Sequence, residues 1–258
     1  MRMLIAAALA ASSLSGCSQS QTAEVGAAPA YSAKQYNVAI ADIARTEADR
    51  ASDAARMPGE LLAFAQIDKG EVVGDYIMGG GYLTRLLAMA VGSNGEVYAF
   101  QPAEFIGFRP EYATEQDDAV APYPDRVFAL RGPIAQPGFP EPLDTIITVM
   151  NLHDLYIGAM AEGTAERAIS ALYGALKPGG KLVVVDHRAA EGTGIDTTDA
   201  LHRIDEQTVI EALTAAGFRL EEESDLYARP DDSHEANVFD EAIRGRTDQF
   251  ALRFVKPA

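Results

Sequence analysis

Two short stretches hold most of the residue types that do chemistry. Asn151, His153 and Asp154 follow the β-branched run Asp144 to Met150, and Asp186 and His187 end the apolar run that begins at Lys181. An imidazole changes charge near neutral pH, so His153 and His187 are candidate proton acceptors, with Asp154 beside the first as a catalytic partner. The same residue types serve a second chemistry: Asp154, Asp186 and His187 offer a mixed oxygen and nitrogen set that a divalent metal could take. Hydrogen-bonded structural roles for His153 and Asp186 are the plain alternative to both.

These residues need strands that end side by side. Glu71 to Asp75, Glu96 to Phe100, Arg126 to Leu130, Asp144 to Met150 and Lys181 to Asp186 all read as short, β-branched or apolar strands. Helical spacing links them: Tyr82, Leu83, Leu86, Leu87, Met89 and Ala90 after the first strand, Thr164 to Leu176 before the fifth, and Glu206 to Ala216 after it with Gly217 as a cap. Lys177-Pro178-Gly179-Gly180 reads as a turn into the fifth strand. Tyr36 to Met57 reads as one or two helices, Glu60 to Ala65 as a short one, and strands near Arg219 to Tyr227 and Gln249 to Phe254 close the chain. The alternation predicts an α/β domain, doubly wound, with a mostly parallel sheet and helices on both faces. Ligands of such sheets sit outside the C-terminal strand ends, where the five polar residues lie.

The first strand runs into Gly79, Gly80 and Gly81 and then a helix, an arrangement that lets backbone N–H groups approach a nucleotide-like ligand. The N-terminus carries a different signal: Arg2, the uncharged run Met3 to Ala11, and Leu14-Ser15-Gly16-Cys17. The run is about half the length of a spanning helix, so an export signal over residues 1–16 is the expectation. The quartet resembles a bacterial lipobox, which implies lipidation of Cys17, a tether over residues 17–34 and a folded domain over residues 35–258. The resemblance also implies a cell-envelope protein facing the periplasm, and Ser18 leans it toward the outer membrane. Cys17 is the sole cysteine of 258 residues, so the domain must be stable without an internal disulfide. A formal charge of −17 opposes a nucleic-acid partner.

From about Ala48 onward the chain resembles the class I S-adenosylmethionine-dependent methyltransferases. The residues that carry this are Val72-Val-Gly-Asp75, Gly79-Gly-Gly-Tyr-Leu-Thr84, Leu176-Lys-Pro-Gly-Gly180 and Ala215-Ala-Gly-Phe218. It looks more closely like an exported bacterial subgroup through Asn151-Leu-His-Asp154, Val185-Asp-His187, Leu201-His-Arg-Ile-Asp205 and Arg244-Gly-Arg-Thr-Asp248. The resemblance implies a seven-stranded sheet with a C-terminal antiparallel pair, and S-adenosyl-L-methionine as cofactor. It places Asp75, Gly79, Gly80 and Gly81 around the cofactor, Gln101 at its ribose and Asn151 among its contacts.

Two positions depart from the pattern: Ile77 stands where a glycine is expected, and Gln101 where a carboxylate would accept from ribose hydroxyls, with Glu104 nearby to compensate. The implied activity is methyl transfer to a small molecule or envelope component, with His153 or His187 as base. A non-catalytic binding lipoprotein on the same scaffold and a metal-dependent enzyme using the same crevice are the alternatives. His202 and Arg203 could close over the crevice, Arg229 to Asp248 could form a lid, and Tyr82 reads as core or as a cofactor contact.

Overall fold

The computed structural model of the protein describes residues 31–258, so the export signal, Cys17 and most of the tether lie outside the described residues. The seven strands are β1 (Val72–Tyr76), β2 (Glu96–Pro102), β3 (Val127–Gly132), β4 (Leu143–Val149), β5 (Leu176–His187), β6 (Arg219–Ser224) and β7 (Gln249–Val255). They form one sheet in the order β3-β2-β1-β4-β5-β7-β6. The pairs β1/β2, β1/β4, β2/β3 and β4/β5 are parallel. β7 runs antiparallel to both β5 and β6. The expected doubly wound sheet with a closing antiparallel pair is therefore borne out.

The order reverses at β1 and β4, and the crevice at such a switch point is where α/β sheets take ligands. Those two strands deliver Asp75 and Asn151, on either side of the reversal.

Alternation along the strands divides the core between two faces. Val73, Val97, Ala99, Ile147, Val183 and Val185 pack on one side with Leu86 and Leu87 of α4 (Tyr82–Ala90). Tyr76, Phe100, Ile146, Leu182 and Val184 pack on the other, against Ile169 and Leu172 of α7 (Thr164–Ala175) and Leu213 of α9 (Glu206–Ala215). Each apolar side chain so buried stabilises the fold by about 1.5–3 kcal/mol. The N-terminal segment supplies α1 (Asn37–Ile40), α2 (Glu47–Arg56) and α3 (Pro58–Ala65). Thr46 and Asp49 start α2 with a reciprocal capping box.

Two expectations fail locally. The Lys177–Gly180 turn is absorbed into β5: the register jumps from Leu143↔Leu176 to Thr145↔Lys181, a bulge in a continuing strand. Gly179 takes a left-handed φ of 80°, and a side chain on Gly180 would press on the carbonyls of Lys177 and Asp144. Between β2 and β3 the chain forms α5 (Ala103–Phe108) and α6 (Glu111–Val120), which the sequence reading passed over. α5 is six residues long, and α6 buries only Gln116 and Ala119, so neither shows an apolar stripe. The remaining short helix is α8 (Thr198–Leu201). No helix among the described residues is long and apolar enough to cross a membrane.

Candidate active site

The β1 end of the crevice is built from backbone. Ile77, Gly79 and Gly81 all take left-handed φ angles, of 64°, 56° and 81°. Glycine does this without cost, whereas a β-branched residue is strained there, by about 1–3 kcal/mol. Ile77 thus takes the backbone conformation that suits the glycine expected at this position, with its side chain buried. Gly81 is required by space as well as by φ, since a Cβ there would collide with Ala119 and the Arg85 guanidinium.

Asp75 lies beneath the loop, fully buried, and accepts a 2.6 Å hydrogen bond from Thr84 Oγ1. Burial pushes its carboxyl up to about 6, against the pull of Thr84 and nearby arginines. Arg85, missed in the sequence, holds the loop from outside: it donates to Gly80 O at 2.9 Å and makes a bidentate pair with Asp49 at 2.7 and 2.9 Å. Tyr82 is core, its hydroxyl bonded to Asp53 at 2.8 Å. α2 is therefore fastened to the start of α4, beside the loop, whose Gly80 stays exposed.

Gln101 ends β2 completely buried, and neither its amide oxygen nor its nitrogen has a hydrogen-bond partner among the described residues. Such an orphaned amide costs about 1–3 kcal/mol. Glu104, on the following helix, commits one carboxylate oxygen, Oε2, to the Ile134 N–H at 2.9 Å. Asn151 bridges the strand ends of β4 and β1, donating to Val149 O at 2.7 Å and Ile77 O at 3.0 Å. It is a clamp on the glycine loop, and it follows another left-handed residue, Met150 (φ 60°).

At the β4 and β5 ends Asp186 is the hub. Fully buried, it accepts from His153 N and His153 Nδ1–H, each at 2.8 Å, and from His187 N at 2.8 Å. Burial opposes its charge, but His153 and these donors overcome that and hold its carboxyl below the usual range. The proton on His153 Nδ1 leaves Nε2 as a lone pair. Burial would lower the proton affinity of His153, yet the Asp186 charge outweighs it and the net shift is upward. His187 turns aside to share a 2.9 Å hydrogen bond between Nδ1 and Thr247 Oγ1, and burial pushes it down to about 4, so it is neutral at pH 7.

Those bonds correct the expected metal set of Asp154, Asp186 and His187. Asp186 spends its oxygens on three N–H groups and His187 spends Nδ1 on Thr247, so the three do not present donors to one point. What converges is Asp154 with His153 and His202, a donor atom from each lying within 4.8 Å of the others. Asp154 Oδ1 stands 3.5 Å from His153 Nε2 and 3.9 Å from His202 Nδ1. Burial, with Asp186 nearby, raises the Asp154 carboxyl to about 6.

His202 reaches this point because its segment is sewn to the end of β5. Ile204 N donates to His187 O and Ala189 N to Ile204 O, both at 3.0 Å. Arg203, fully buried, binds Arg188 O at 3.0 Å and pairs with Asp232 at 2.9 Å. Arg203 is therefore a tether for the loop, not a group facing the crevice. The loop Arg229–Asp248 is pinned in turn, with Asp248 accepting from Arg229 N at 2.7 Å and Val238 N donating to Leu201 O at 3.2 Å. Phe239 brings its ring edge-on to within 4.9 Å of that of His202, so this loop borders the cluster.

Among solved structures, the chain matches an S-adenosylmethionine-dependent methyltransferase from Aquifex aeolicus with a TM-score of 0.53, 18% identity and coverage of 77% of this chain and 89% of that one. The fold is that of the class I methyltransferases. A TehB-like S-adenosylmethionine-dependent methyltransferase from Corynebacterium glutamicum matches at a TM-score of 0.50 and 18% identity, over 86% of this chain and 94% of its own. A chain from a Haloferax volcanii complex with a methyltransferase activator matches at 0.56 and 18% identity, over 82% and 93%. No family model and no curated protein matches the sequence.

Within this methyltransferase fold the predicted residues divide into two groups, Asp75, the glycines and Gln101 at one side of the switch point and His153, Asp154, Asp186 and His187 at the other. Asn151 spans them. The sequence reading missed Thr84 and Thr247, whose signal was only their place inside the quoted stretches, and Arg85, which had none.

Proposed function

We propose that the protein is an S-adenosylmethionine-dependent methyltransferase acting on a small molecule or envelope component, held to the envelope by a lipid on Cys17. The observation that carries this is Ile77: a buried β-branched residue kept left-handed so that a glycine loop retains its shape, in a methyltransferase fold. The unpaired Gln101 amide supports it, since ribose hydroxyls would satisfy both its donor and its acceptor.

Bound S-adenosylmethionine supplies a methyl group on a positively charged sulfur, open to in-line displacement. The chain's part is to hold and to deprotonate. Asp75, the loop N–H groups of Gly79 and Gly80 and Gln101 would hold the cofactor, the Gly81 N–H being spent on Met78 O, and Asn151 fixes the loop. His153, locked by Asp186 in the tautomer with Nε2 free, takes the proton of an acceptor hydroxyl or amine, and its raised proton affinity suits that task near neutral pH.

Calorimetric titration of the full chain with S-adenosylmethionine and its demethylated product should show micromolar binding. No heat at millimolar ligand would leave a binding protein on a methyltransferase scaffold. For the anchor, Cys17→Ser should shift the protein from membrane to soluble envelope fractions, and unchanged membrane association would remove that part.

A further inference from the structure

Three groups able to act as metal ligands, His153, Asp154 and His202, meet at the β4 end without a hydrogen bond among them. Asp186 takes the Nδ1–H of His153, which leaves Nε2 a bare lone pair. Asp154 is largely buried, yet its carboxylate accepts no hydrogen bond within normal distance among the described residues, its nearest approaches being 3.5 Å to His153 and 3.9 Å to His202. The ring of His202 has no hydrogen-bond partner there either, and Phe239 packs edge-on against it at 4.9 Å. Lone pairs and a carboxylate facing one another repel unless a proton or a metal cation lies among them, and a metal ion can engage all three at once.

We propose that His153 Nε2, Asp154 and His202 bind one divalent first-row transition ion, with Asp186 as the outer carboxylate that fixes His153. The spacing supports it. Ligand atoms on adjacent corners of a tetrahedron at bonds of about 2.0–2.1 Å stand roughly 3.3 Å apart. The observed 3.5 and 3.9 Å, with all three atoms inside 4.8 Å, need closure by tenths of an ångström to rather more than one.

The rest of the design matches. A metal-bound histidine characteristically donates its second N–H to a carboxylate, as His153 does to a wholly buried Asp186. His202 holds the left-handed conformation (φ 53°) in which it reaches the cluster, at the end of a segment fastened to β5. Two imidazoles and one carboxylate select transition ions over magnesium or calcium, which prefer all-oxygen sites. Three protein ligands leave positions open on the ion. Ion binding would take the Nε2 lone pair from its role as base, and the open positions would instead take an oxygen of the acceptor, whose proton the ion would make easier to remove. That use of the ion rests on the methyltransferase reading; the ion site does not.

The full chain, stripped with chelator, is titrated with Zn²⁺ alone by calorimetry and with Co²⁺ alone by absorption. The expected result is one equivalent bound in each, visible d–d bands for Co²⁺, and no displacement by millimolar Mg²⁺. Loss of one ligand in His202→Ala or in the near-isosteric Asp154→Asn should weaken binding at least tenfold, and Asp186→Asn about 10–100-fold through the outer contact. Thermal melts confirm that each variant is folded, and Asp154→Asn carries the test if His202→Ala is not. Substoichiometric binding by the stripped chain, or binding unchanged in a folded ligand variant, overturns the site. Titration of the same samples with S-adenosylmethionine separates the two ideas. Cofactor binding without metal binding removes the ion alone, and metal binding without cofactor binding removes the methyltransferase reading alone.

Discussion

The two ends of the sheet are both polar, but only one is at rest. At the N-terminal strand ends Lys181 donates to Gln66 O at 2.6 Å and to Glu71 at 3.1 Å, Thr145 Oγ1 donates to Glu71 at 3.1 Å, and Lys177 pairs with Asp144 at 2.7 Å. Asp144 further accepts from Val72 N at 2.9 Å. These groups line a cleft of about 340 Å³, yet its charges already answer one another.

At the C-terminal ends the account does not close. Gln101 and Thr148 bury side-chain atoms without partners, Asp154 accepts no hydrogen bond among the described residues, and Ile77, Met150 and His202 are held left-handed. The presence of a cleft is therefore not by itself a mark of function in this molecule. Gln66 at the other end is left-handed too (φ 54°), so it is the unsatisfied buried side chains that mark the working end, because a fold retains such costs only where something else depends on them.

The sharpest test of this asymmetry is His153→Ala, expected to lower kcat by about 10²–10⁴-fold with S-adenosylmethionine affinity retained. Lys177→Met at the resting end should leave turnover unchanged, and an equal loss in both variants would dissolve the comparison. Gly81→Ala should cost about 2–4 kcal/mol in denaturant unfolding, from the left-handed backbone together with the collision at Ala119.

Asp75 makes the working end pH-sensitive. Its folded pKa of about 6 lies above the ordinary carboxyl value, so its contribution to stability is present below pH of about 4 and is lost as the pH rises through about 6. Asp75→Asn should abolish a loss of about 3 kcal/mol between pH 4 and 7, read as the difference between the two proteins' unfolding curves. A constant difference across that range would mean that the buried carboxylate is relieved by contacts beyond those seen.

The smallest effect is expected at Gln101→Leu, which should stabilise the ligand-free protein by about 1–2 kcal/mol while weakening S-adenosylmethionine at least tenfold. Destabilisation by this change would show that the amide is not the orphan it is in this structure.

Local pattern determined much of this protein. Strand and helix periodicity, the glycines after Asp75 and the placement of Asn151, His153, Asp186 and His187 at strand ends were legible, because each depends on neighbours a few residues away. α5 and α6 were not, since one is too short and the other too exposed to carry a buried stripe, and the Lys177–Gly180 bulge looked like a turn because its strand pairing is set by β4. The chemistry at the crevice belongs to the tertiary structure. Which nitrogen of His153 is free, that Asp186 is spent on holding it, that His187 answers Thr247, and that His202 joins Asp154 follow from contacts between segments far apart in the chain. Residue types announce which donors and acceptors are available, but only packing decides which are already satisfied and which remain to bind something else.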